Sequence, residues 1–456
     1  MHDQNSPDTE PYMINAWTMH IKEFGKIKEA AIRPAPFTLL IGDNNSGKSY
    51  MMTLLYGLLT LNFSDDCYNF RTDSAAYQNC LQISEHICEN CRLHSKANYT
   101  LQNNDLQLFQ QLLNEFLAEN KKIFLNKLFN HEMDIGELRI EFPSNTELCF
   151  EFTIKPSSSN GKIYIIKSDK FYRSFTNTDR KPDCKLAWNQ LAVLLEVMMR
   201  HNFNNPIYFP TTRTGFLLTY KDLIRSALQQ RFSMDKAAKN LLTKPAADFL
   251  SILSGLQADM TFPKDLKMIR FIEEHIISGH IQTSDSLMPD FEYLPDKTQK
   301  RLPMYVSSAV VTETAPLLLI LKDYPFFGSL MIEEPEISLH PQLQWEMARL
   351  LIRLTNSRIP VVITTHSDII LQHVNNMIKA YEMQRKDRFF KETGYEKEDL
   401  LSRELTAVYQ FDITKDNHTC ITRLPCGDFG FEAMTFYQTL KKLNEQIDLI
   451  EDEKER

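Results

Sequence analysis

Residues 42–49 read Gly-Asp-Asn-Asn-Ser-Gly-Lys-Ser and match every position of the pattern G-x-x-x-x-G-K-[ST]. The apolar run from Phe37 to Ile41 precedes this pattern, and residues 50–61 carry apolar side chains at helical spacing. The arrangement predicts a strand, a glycine-rich turn and a helix N-terminus, whose backbone N–H groups would surround a phosphate group. The alternative is a chance glycine loop in an ordinary turn, which the strand and helix flanks disfavour.

This phosphate loop supplies most of the expected binding residues. Lys48 is expected to pair the β- and γ-phosphates of a nucleotide, and the Ser49 hydroxyl is expected to bind Mg²⁺. The predicted cofactor-binding residues of the loop are Gly42, Asn44, Asn45, Ser46, Gly47, Lys48, Ser49 and Tyr50.

Composition limits the class of protein. The 456 residues are 43% hydrophobic and 24% charged, which is typical of a folded globular chain of one large core or two to three domains. The net charge of −8 argues against a surface uniformly coated for nucleic acid, although a local basic groove stays open. Because no run of about 18 apolar residues and no signal peptide is visible, we expect a cytoplasmic protein without a membrane span.

Two adjacent carboxylates end an apolar run at residues 329–336, Ser-Leu-Met-Ile-Glu-Glu-Pro-Glu. Glu333 is predicted to face the Mg²⁺ shell, and Glu334 to orient or deprotonate the attacking water. The alternative is an ordinary acidic pair on the surface. The apolar run before the pair and Pro335 after it favour the functional interpretation.

Two further polar side chains follow apolar strands. The strand from Ile359 to Thr365 ends at His366, which is predicted to contact a γ-phosphate or to sense its loss; the alternative is a structural histidine. The short strand Pro206–Pro210 runs into a polar loop that contains Arg213. Ligands collect at the ends of strands in open α/β sheets, so Arg213 either faces a phosphate or pairs a surface carboxylate.

Patterning divides the rest of the chain into segments. Three alternating runs, 137–142, 147–154 and 162–168, predict an antiparallel meander that is either inserted into the lobe or extends its sheet. Residues 220–281 predict a helical arm, and 406–413 with 418–424 predict a hairpin. The predicted segments are 12–65 and 301–400 for the two parts of the main lobe, 66–205 for the insertion, 206–300 for a strand and the arm, and 401–456 for the hairpin and a last helix.

Two features leave alternatives open. Cys67, Cys80, Cys88 and Cys91 either bind zinc, since Cys88 and Cys91 have zinc-ligand spacing, or are reduced thiols with small buried side chains on a helix. The last helix has apolar residues at heptad-like spacing, which either pack on its own sheet or dock a partner. These residues are Phe436, Leu440, Leu443, Ile447 and Ile450.

The segments GDNNSGKS, IEEPEISLHP and TTHS occur in this order, with a long insertion between the first two. As a set they resemble the ATP-binding-cassette (ABC) ATPases of the SMC, RecF and OLD type. The resemblance implies an α/β fold, an ABC-type P-loop ATPase lobe with an antiparallel β insertion and a helical arm. It also implies ATP and Mg²⁺ as cofactors, ATP hydrolysis with Glu334 and His366 as catalytic residues, and His366 as the switch histidine.

The same resemblance implies that two chains complete each other's sites. Residues 338–340 would face a second protomer, and a signature loop would bind the nucleotide through Ser307 and Ser308. That loop has Ala309 where glycine is usual, and a Cβ restricts backbone approach to the phosphate. We therefore expect ATP-dependent pairing into a homodimer or higher homo-oligomer to be weaker or slower than in close relatives.

In OLD-type relatives a nuclease domain follows the ATPase, and here only a short segment follows residue 400. The chain is similar instead to stand-alone ATPase subunits of bacterial anti-phage systems, the PtuA-type subunits of Septu and retrons and the AriA-type subunits of PARIS. This similarity implies a separate effector nuclease as partner. The alternative is a DNA-repair or chromosome-maintenance ATPase of the RecF or SMC type that binds DNA directly.

Overall fold

The structure is a computed structural model. It describes residues 17–101, 103–144, 146, 148–156, 161–168, 171–178, 183–200, 203–232, 242–256, 266–284, 286, 288–298, 300–324, 327–433, 441 and 444–451.

A nine-stranded mixed sheet lies at the centre of the described part of the chain. Its strands in spatial order are β5 (Ile135–Glu141), β1 (Thr18–Phe24), β2 (Ile27–Ile32), β16 (Thr419–Arg423), β15 (Thr406–Ile413), β3 (Phe37–Gly42), β14 (Val361–Thr365), β13 (Ser329–Glu333) and β9 (Pro206–Phe209). Strands β15, β3, β14, β13 and β9 run parallel. Their carboxyl ends therefore meet at one edge of the sheet.

Helices cover both faces of this sheet, which explains why its central strands are continuous apolar runs. Leu40, Met331 and Val362 pack into one core, while their strand neighbours pack into a second core on the opposite face. Helices of the first face are α1 (Lys48–Leu59), α2 (Ala75–His94), α3 (Asn103–Phe129) and α4 (Asp183–Arg200). Helices packed into the second core are α5 (Arg213–Phe232), α6 (Lys244–Gly255), α7 (Leu266–Ile272), α8 (Ala309–Asp323), α9 (Pro341–Asn356), α10 (Asp368–Glu382) and α11 (Asp387–Thr393).

Three smaller sheets complete the described chain. A four-stranded antiparallel sheet has the order β4 (Lys96–Leu101), β6 (Leu148–Pro156), β7 (Gly161–Ser168) and β8 (Phe171–Thr178). The other two contain β10 (Gly279–Thr283), β11 (Phe291–Pro295) and β12 (Leu302–Pro303), and β17 (Cys426–Gly427) and β18 (Gly430–Phe431). No described helix is both long enough and apolar enough to cross a membrane.

The predicted α/β fold class is confirmed by the central sheet with helices on both faces, and a four-stranded antiparallel sheet lies within the predicted insertion. The predicted meander divides between two sheets. Its first run forms β5 beside β1 in the main sheet, and its other two runs form β6 and β7 of the four-stranded sheet. The predicted hairpin forms β15 and β16, which lie in the middle of the main sheet because β15 pairs with β3.

The structure bears on the two features with open alternatives, the four cysteines and the last helix. Cys80 and Cys91 pack in the first core and Cys88 in a separate cluster, where its thiol donates to Gln190 Oε1. Cys80, Cys88 and Cys91 are buried, as the second alternative predicts, and among the described residues no three His, Cys, Asp or Glu side chains group to hold a metal ion. In the last helix residues 444–451 are exposed, so this part does not pack on the sheet. Phe436, Leu440 and Leu443 lie outside the described residues.

Candidate nucleotide-binding site

A cavity of about 560 Å³ opens where the carboxyl ends of β3, β13 and β14 meet. The phosphate loop of residues 42–49 follows β3, Glu334 follows β13, and His366 follows β14. The cavity is lined by Phe24, Gly25, Lys26, Ile27, Asn44, Asn45, Ser46, Gly47, Lys48, Ser49, Tyr50, Glu334 and His366. The structure therefore brings together the phosphate loop and both predicted catalytic residues.

Two glycines fix the path of the phosphate loop. Gly42 has φ +131°, and a Cβ at this position would lie 2.2 Å from the carbonyl oxygen of Phe411 on β15. Gly47 has φ +92° at the start of α1, where a Cβ would lie 3.3 Å from Ile27. Both conformations are poorly accessible to residues with a side chain, so the motif glycines are a steric requirement of this turn.

Lys48 is folded back onto the loop that carries it. Its Nζ donates to the carbonyl oxygens of Gly42 (3.0 Å) and Asp43 (2.7 Å). Burial lowers the pKa of Lys48 to about 8, although nearby Glu334 opposes this shift. A triphosphate in the cavity would offer stronger acceptors than these carbonyls, and its negative charge would favour the ammonium form.

Glu334 and His366 lie next to each other in the wall of the cavity. Their Oε1 and Nε2 atoms are 3.6 Å apart. The contact with His366, supported by Lys48 and Arg213 nearby, holds the pKa of Glu334 below its usual range despite partial burial. Glu334 is therefore an ionised carboxylate at neutral pH, as a residue that orients or deprotonates water must be.

Glu333 lies behind the cavity wall. Its Oε1 accepts from the Tyr208 hydroxyl (2.5 Å), and its Oε2 accepts from the backbone N–H (3.1 Å) and the hydroxyl (3.2 Å) of Thr211. Tyr208 also contacts Thr53 of α1, with 3.3 Å between the two hydroxyl oxygens. The carboxylate is thus connected to the phosphate-loop helix, but Glu333 is not among the cavity-lining residues, and its role toward Mg²⁺ stays a prediction.

Glu336, which sequence reasoning left without a role, connects the two strand ends. Its Oε1 accepts from the Thr365 hydroxyl (2.8 Å) and from the backbone N–H of His366 (2.7 Å). Its Oε2 is buried and has no hydrogen-bond partner in the described structure. Residues 333–336, called the acidic turn below, are therefore fixed against the segment that carries His366.

The structure corrects the prediction for Arg213. Its side chain is buried and does not line this cavity, and the carboxylate that it pairs, Glu313, is itself nearly buried rather than on the surface. The guanidinium donates to the carbonyl oxygens of Glu333 (2.8 Å) and Glu334 (3.1 Å) and lies 3.0 Å from the Glu313 carboxylate. Sequence placed Arg213 at the right edge of the sheet but could not show which way its side chain points.

The predicted signature residues lie at the start of α8. Ser308 is the N-cap, with its hydroxyl accepting from the N–H of Val311, and the Ser307 hydroxyl donates to the carbonyl oxygen of Pro303. Tyr305 and Val306 just before them are 79% and 59% exposed. Ser307 and Ser308 do not line the cavity of their own chain, so a nucleotide-binding role for them requires a second copy.

Sequence reasoning missed one wall of the cavity. The β1–β2 turn contributes Phe24, Gly25, Lys26 and Ile27, and the Phe24 ring lies 6.2 Å from that of Tyr50. Phe24 and Ile27 are buried, whereas Lys26 is exposed beside the phosphate loop, where its ammonium suits the phosphates of a nucleotide. Gly25 is a typical turn residue, but nothing in the sequence shows that this turn lies beside the phosphate loop.

The residues present fit Mg²⁺ that enters with a nucleotide. Ser49 and Glu334 both line the cavity, and a hydroxyl and a carboxylate supply oxygen, the ligand type that Mg²⁺ prefers. No described cluster of three ligating side chains would hold a metal by itself. This agrees with the usual binding of Mg²⁺ through few protein groups, substrate phosphates and water.

Fold and cavity together define a P-loop nucleotide-binding protein of the α/β class. The AAA ATPase domain family matches residues 17–371, and the chain belongs to this family. No curated protein has a sequence that matches this chain significantly.

Solved structures of SMC heads show a distant likeness. The SMC head domain from Thermotoga maritima is 8% identical, covers 90% of this chain and 99% of its own, and has a TM-score of 0.33. A Pyrococcus furiosus Smc head domain with an extended coiled coil, bound to the C-terminal domain of ScpA, is 11% identical, covers 94% and 98%, and has a TM-score of 0.34. At these identities and TM-scores the likeness has no bearing on function.

Proposed function

We propose that this chain hydrolyses ATP to ADP and phosphate in a Mg²⁺-dependent reaction. The observation that supports this most is the position of Lys48, Glu334 and His366 around one cavity, although Lys48 lies more than 280 residues before the other two in sequence. Membership of the AAA ATPase domain family supports the same activity.

Each residue has a task that its surroundings suit. The backbone N–H groups of the phosphate loop and Lys48 bind the β- and γ-phosphates. Ser49 at the cavity wall and Glu333 behind it are the candidate groups for Mg²⁺, which supplies charge neutralisation when bound. Glu334 accepts a hydrogen bond from the attacking water, and His366 contacts the γ-phosphate and holds Glu334.

Phosphate release from purified protein tests this activity. Glu334→Gln should lower kcat by about 10²–10⁴-fold, because it removes the base while the amide keeps a similar shape. Lys48→Ala should weaken ATP binding by about 10–100-fold, because it removes charge-assisted hydrogen bonds. Glu132→Gln, an exposed carboxylate on the segment after α3, is the matched control and should leave both quantities unchanged. Unchanged turnover in Glu334→Gln would refute the assignment.

We further propose that two copies share the nucleotide, with Ser307 and Ser308 of one copy facing the γ-phosphate bound by the other. The exposure of Tyr305 and Val306 beside them and of Ser338 and His340 supports this, since these segments are free to meet a partner. Light scattering should show ATP-dependent dimers in the Glu334→Gln variant. Ala309→Gly should increase the dimer fraction, and no increase would count against a signature role for this loop.

The motif resemblance supports a role as the ATPase subunit of a bacterial anti-phage system that controls a separate nuclease. The test is co-expression with the product of the neighbouring gene. Co-purification of a nuclease and loss of phage protection in Lys48→Ala are the expected results. ATP-dependent DNA binding by this chain alone, weakening steeply with salt, would favour the repair alternative instead.

A further inference from the structure

Arg213 is the first residue of α5 and directly follows the loop after β9. Its side chain is 4% exposed, and every nitrogen of the guanidinium contacts backbone oxygen. Nη1 donates to Glu333 O (2.8 Å), Nη2 donates to Glu334 O (3.1 Å), and Nε donates to Glu313 O (3.2 Å). One buried cation thus holds two successive carbonyl groups of the acidic turn.

Those carbonyls belong to a strained piece of backbone. Glu334 has φ +44°, in the left-handed region that residues with a Cβ rarely adopt. Such a conformation persists only where surrounding contacts enforce it. The Glu334 N–H donates to Thr364 O (2.9 Å), and Arg213 holds the Glu334 carbonyl, so both backbone polar groups of the catalytic candidate are fixed from outside.

The third contact of Arg213 leads to α8. Glu313 lies in the second turn of this helix, and its Oε2 is 3.0 Å from Arg213 Nε, which also donates to the Glu313 carbonyl. The same helix begins at Ala309, immediately after Ser307 and Ser308. A short path of direct contacts therefore runs from the exposed start of α8 through Glu313 and Arg213 to the backbone of Glu334.

We propose that Arg213 is a positioning residue that couples the N-terminal half of α8 to the acidic turn. Movement of α8, such as a second copy would cause on meeting Ser307 and Ser308, changes the backbone of Glu334 through the guanidinium. The role needs arginine, because a planar fork presents donors to two carbonyls and to α8 together, whereas a lysine ammonium is a single point charge. The inference rests on the proposed ATPase activity.

Arg213→Lys tests the coupling, with Arg349→Lys as its matched control. Arg349 is also a buried arginine, and its guanidinium contacts Asp399 at 3.1 and 3.3 Å, away from the cavity lining. Arg213→Lys should lower kcat by about 100-fold, since a misplacement near 1 Å has effects of this size. It should leave the Kd for ATP within about twofold, because Arg213 does not line the cavity. Arg349→Lys should leave both values unchanged even where it lowers Tm.

Hydrogen exchange supplies a readout that does not depend on turnover. In nucleotide-free protein, Arg213→Lys should speed exchange of both the acidic turn and the first turns of α8, and Arg349→Lys should speed neither. An equal fall in kcat in the two lysine variants, or unchanged exchange of the acidic turn in Arg213→Lys, would overturn the coupling. Wild-type protein without phosphate release would instead refute the proposed activity, and the exchange experiment would still decide whether Arg213 couples the two segments.

Discussion

The phosphate loop and the acidic turn face the same cavity but owe their shapes to contacts of different range. In the phosphate loop, Ser46 Oγ donates to Asp43 O and Lys48 Nζ donates to Gly42 O, all within residues 42–49. The acidic turn is held by Tyr208, Thr211 and Arg213, more than 100 residues away in sequence. A loop held by its own residues should tolerate distant changes, whereas the acidic turn should respond to substitutions in β9 and α5.

The largest expected effect tests a long-range contact of the phosphate loop, the approach of Gly42 to β15. Gly42→Ala places a Cβ 2.2 Å from Phe411 O at a φ of +131°, so strain and steric overlap combine. We expect a loss of about 3 kcal/mol or more in the free energy of unfolding, measured by denaturant titration. Gly215→Ala is the control: it lies in α5 with nothing within 4 Å, and should stabilise by up to about 1 kcal/mol. A stable Gly42→Ala protein would contradict the close approach to β15.

The next effect tests the acidic turn. Tyr208→Phe removes the hydroxyl that donates to Glu333, so a buried carboxylate oxygen loses its partner at a cost of about 1–3 kcal/mol. We also expect a higher Mg²⁺ concentration for half-maximal nucleotide binding, measured by titration with a fluorescent ATP analogue. Tyr293→Phe, which removes a buried hydroxyl bonded to Ile277 O, should cost similar stability without changing the Mg²⁺ requirement. Equal Mg²⁺ requirements in the two variants would show that the Tyr208 hydroxyl does not affect Mg²⁺ binding.

The different sequence separation of the contacts in these two regions also explains what could be predicted from the sequence. The phosphate loop was recognisable because its motif lies within residues 42–49 and between a recognisable strand and helix. Glu334 and His366 were recognisable because each directly follows an apolar strand of a parallel sheet. The β1–β2 turn at Gly25 and Lys26 was missed, because its approach to the cavity follows from the pairing of β1 and β2 beside β16, which no local pattern encodes.

Arg213 shows what sequence cannot predict for a single side chain. The position after β9 correctly placed it at the edge where ligands collect, but the direction of its guanidinium depends on Glu313 and on the carbonyls of β13. A buried arginine with carbonyl partners and an exposed arginine that binds phosphate have the same sequence signature. Only the packing of α5 against α8 and β13 distinguishes them.

A smaller effect follows from the position of Lys48 inside its own loop. Burial gives Lys48 a pKa of about 8, and bound phosphate favours the protonated form. ATP binding therefore takes up a proton above pH 8, and the Kd should rise by up to about tenfold per pH unit from there. Below pH 8 the lysine is already charged and this dependence disappears. Lys48→Arg, which does not titrate in this range, should give a Kd without this rise; a flat wild-type profile up to pH 9.5 would contradict the lowered pKa.

The smallest effect separates hydrogen bonding from charge in the acidic turn. Burial, with Glu334 nearby, raises the pKa of Glu336, so its ionised form is disfavoured in the folded protein. Glu336→Gln keeps an oxygen that accepts from Thr365 and His366 and removes the charge, so at pH 7 we expect a stability equal to wild type or higher by less than about 1 kcal/mol. Most ionised carboxylates stabilise a folded protein, whereas the raised pKa of Glu336 means that its ionised form destabilises the fold. Any advantage of the amide exists above the raised pKa, where wild type carries the buried charge, and is lost as the pH falls below the ordinary pKa of a glutamate, where wild type is neutral too.

Glu336→Ala completes the test, because it removes the acceptor as well as the charge. The Thr365 hydroxyl and the N–H of His366 then lose their partner, and we expect lower stability than in Glu336→Gln at every pH. Denaturant titrations of the three proteins at pH 5 and 7 measure both differences. If the alanine and glutamine variants behaved alike, Glu336 would not hold His366, and the acidic turn would depend on its contacts with Tyr208, Thr211, Arg213 and Thr364. If only the alanine variant also lost turnover, the connection between the two strand ends would be as necessary to the site as the contacts from Tyr208 and Arg213.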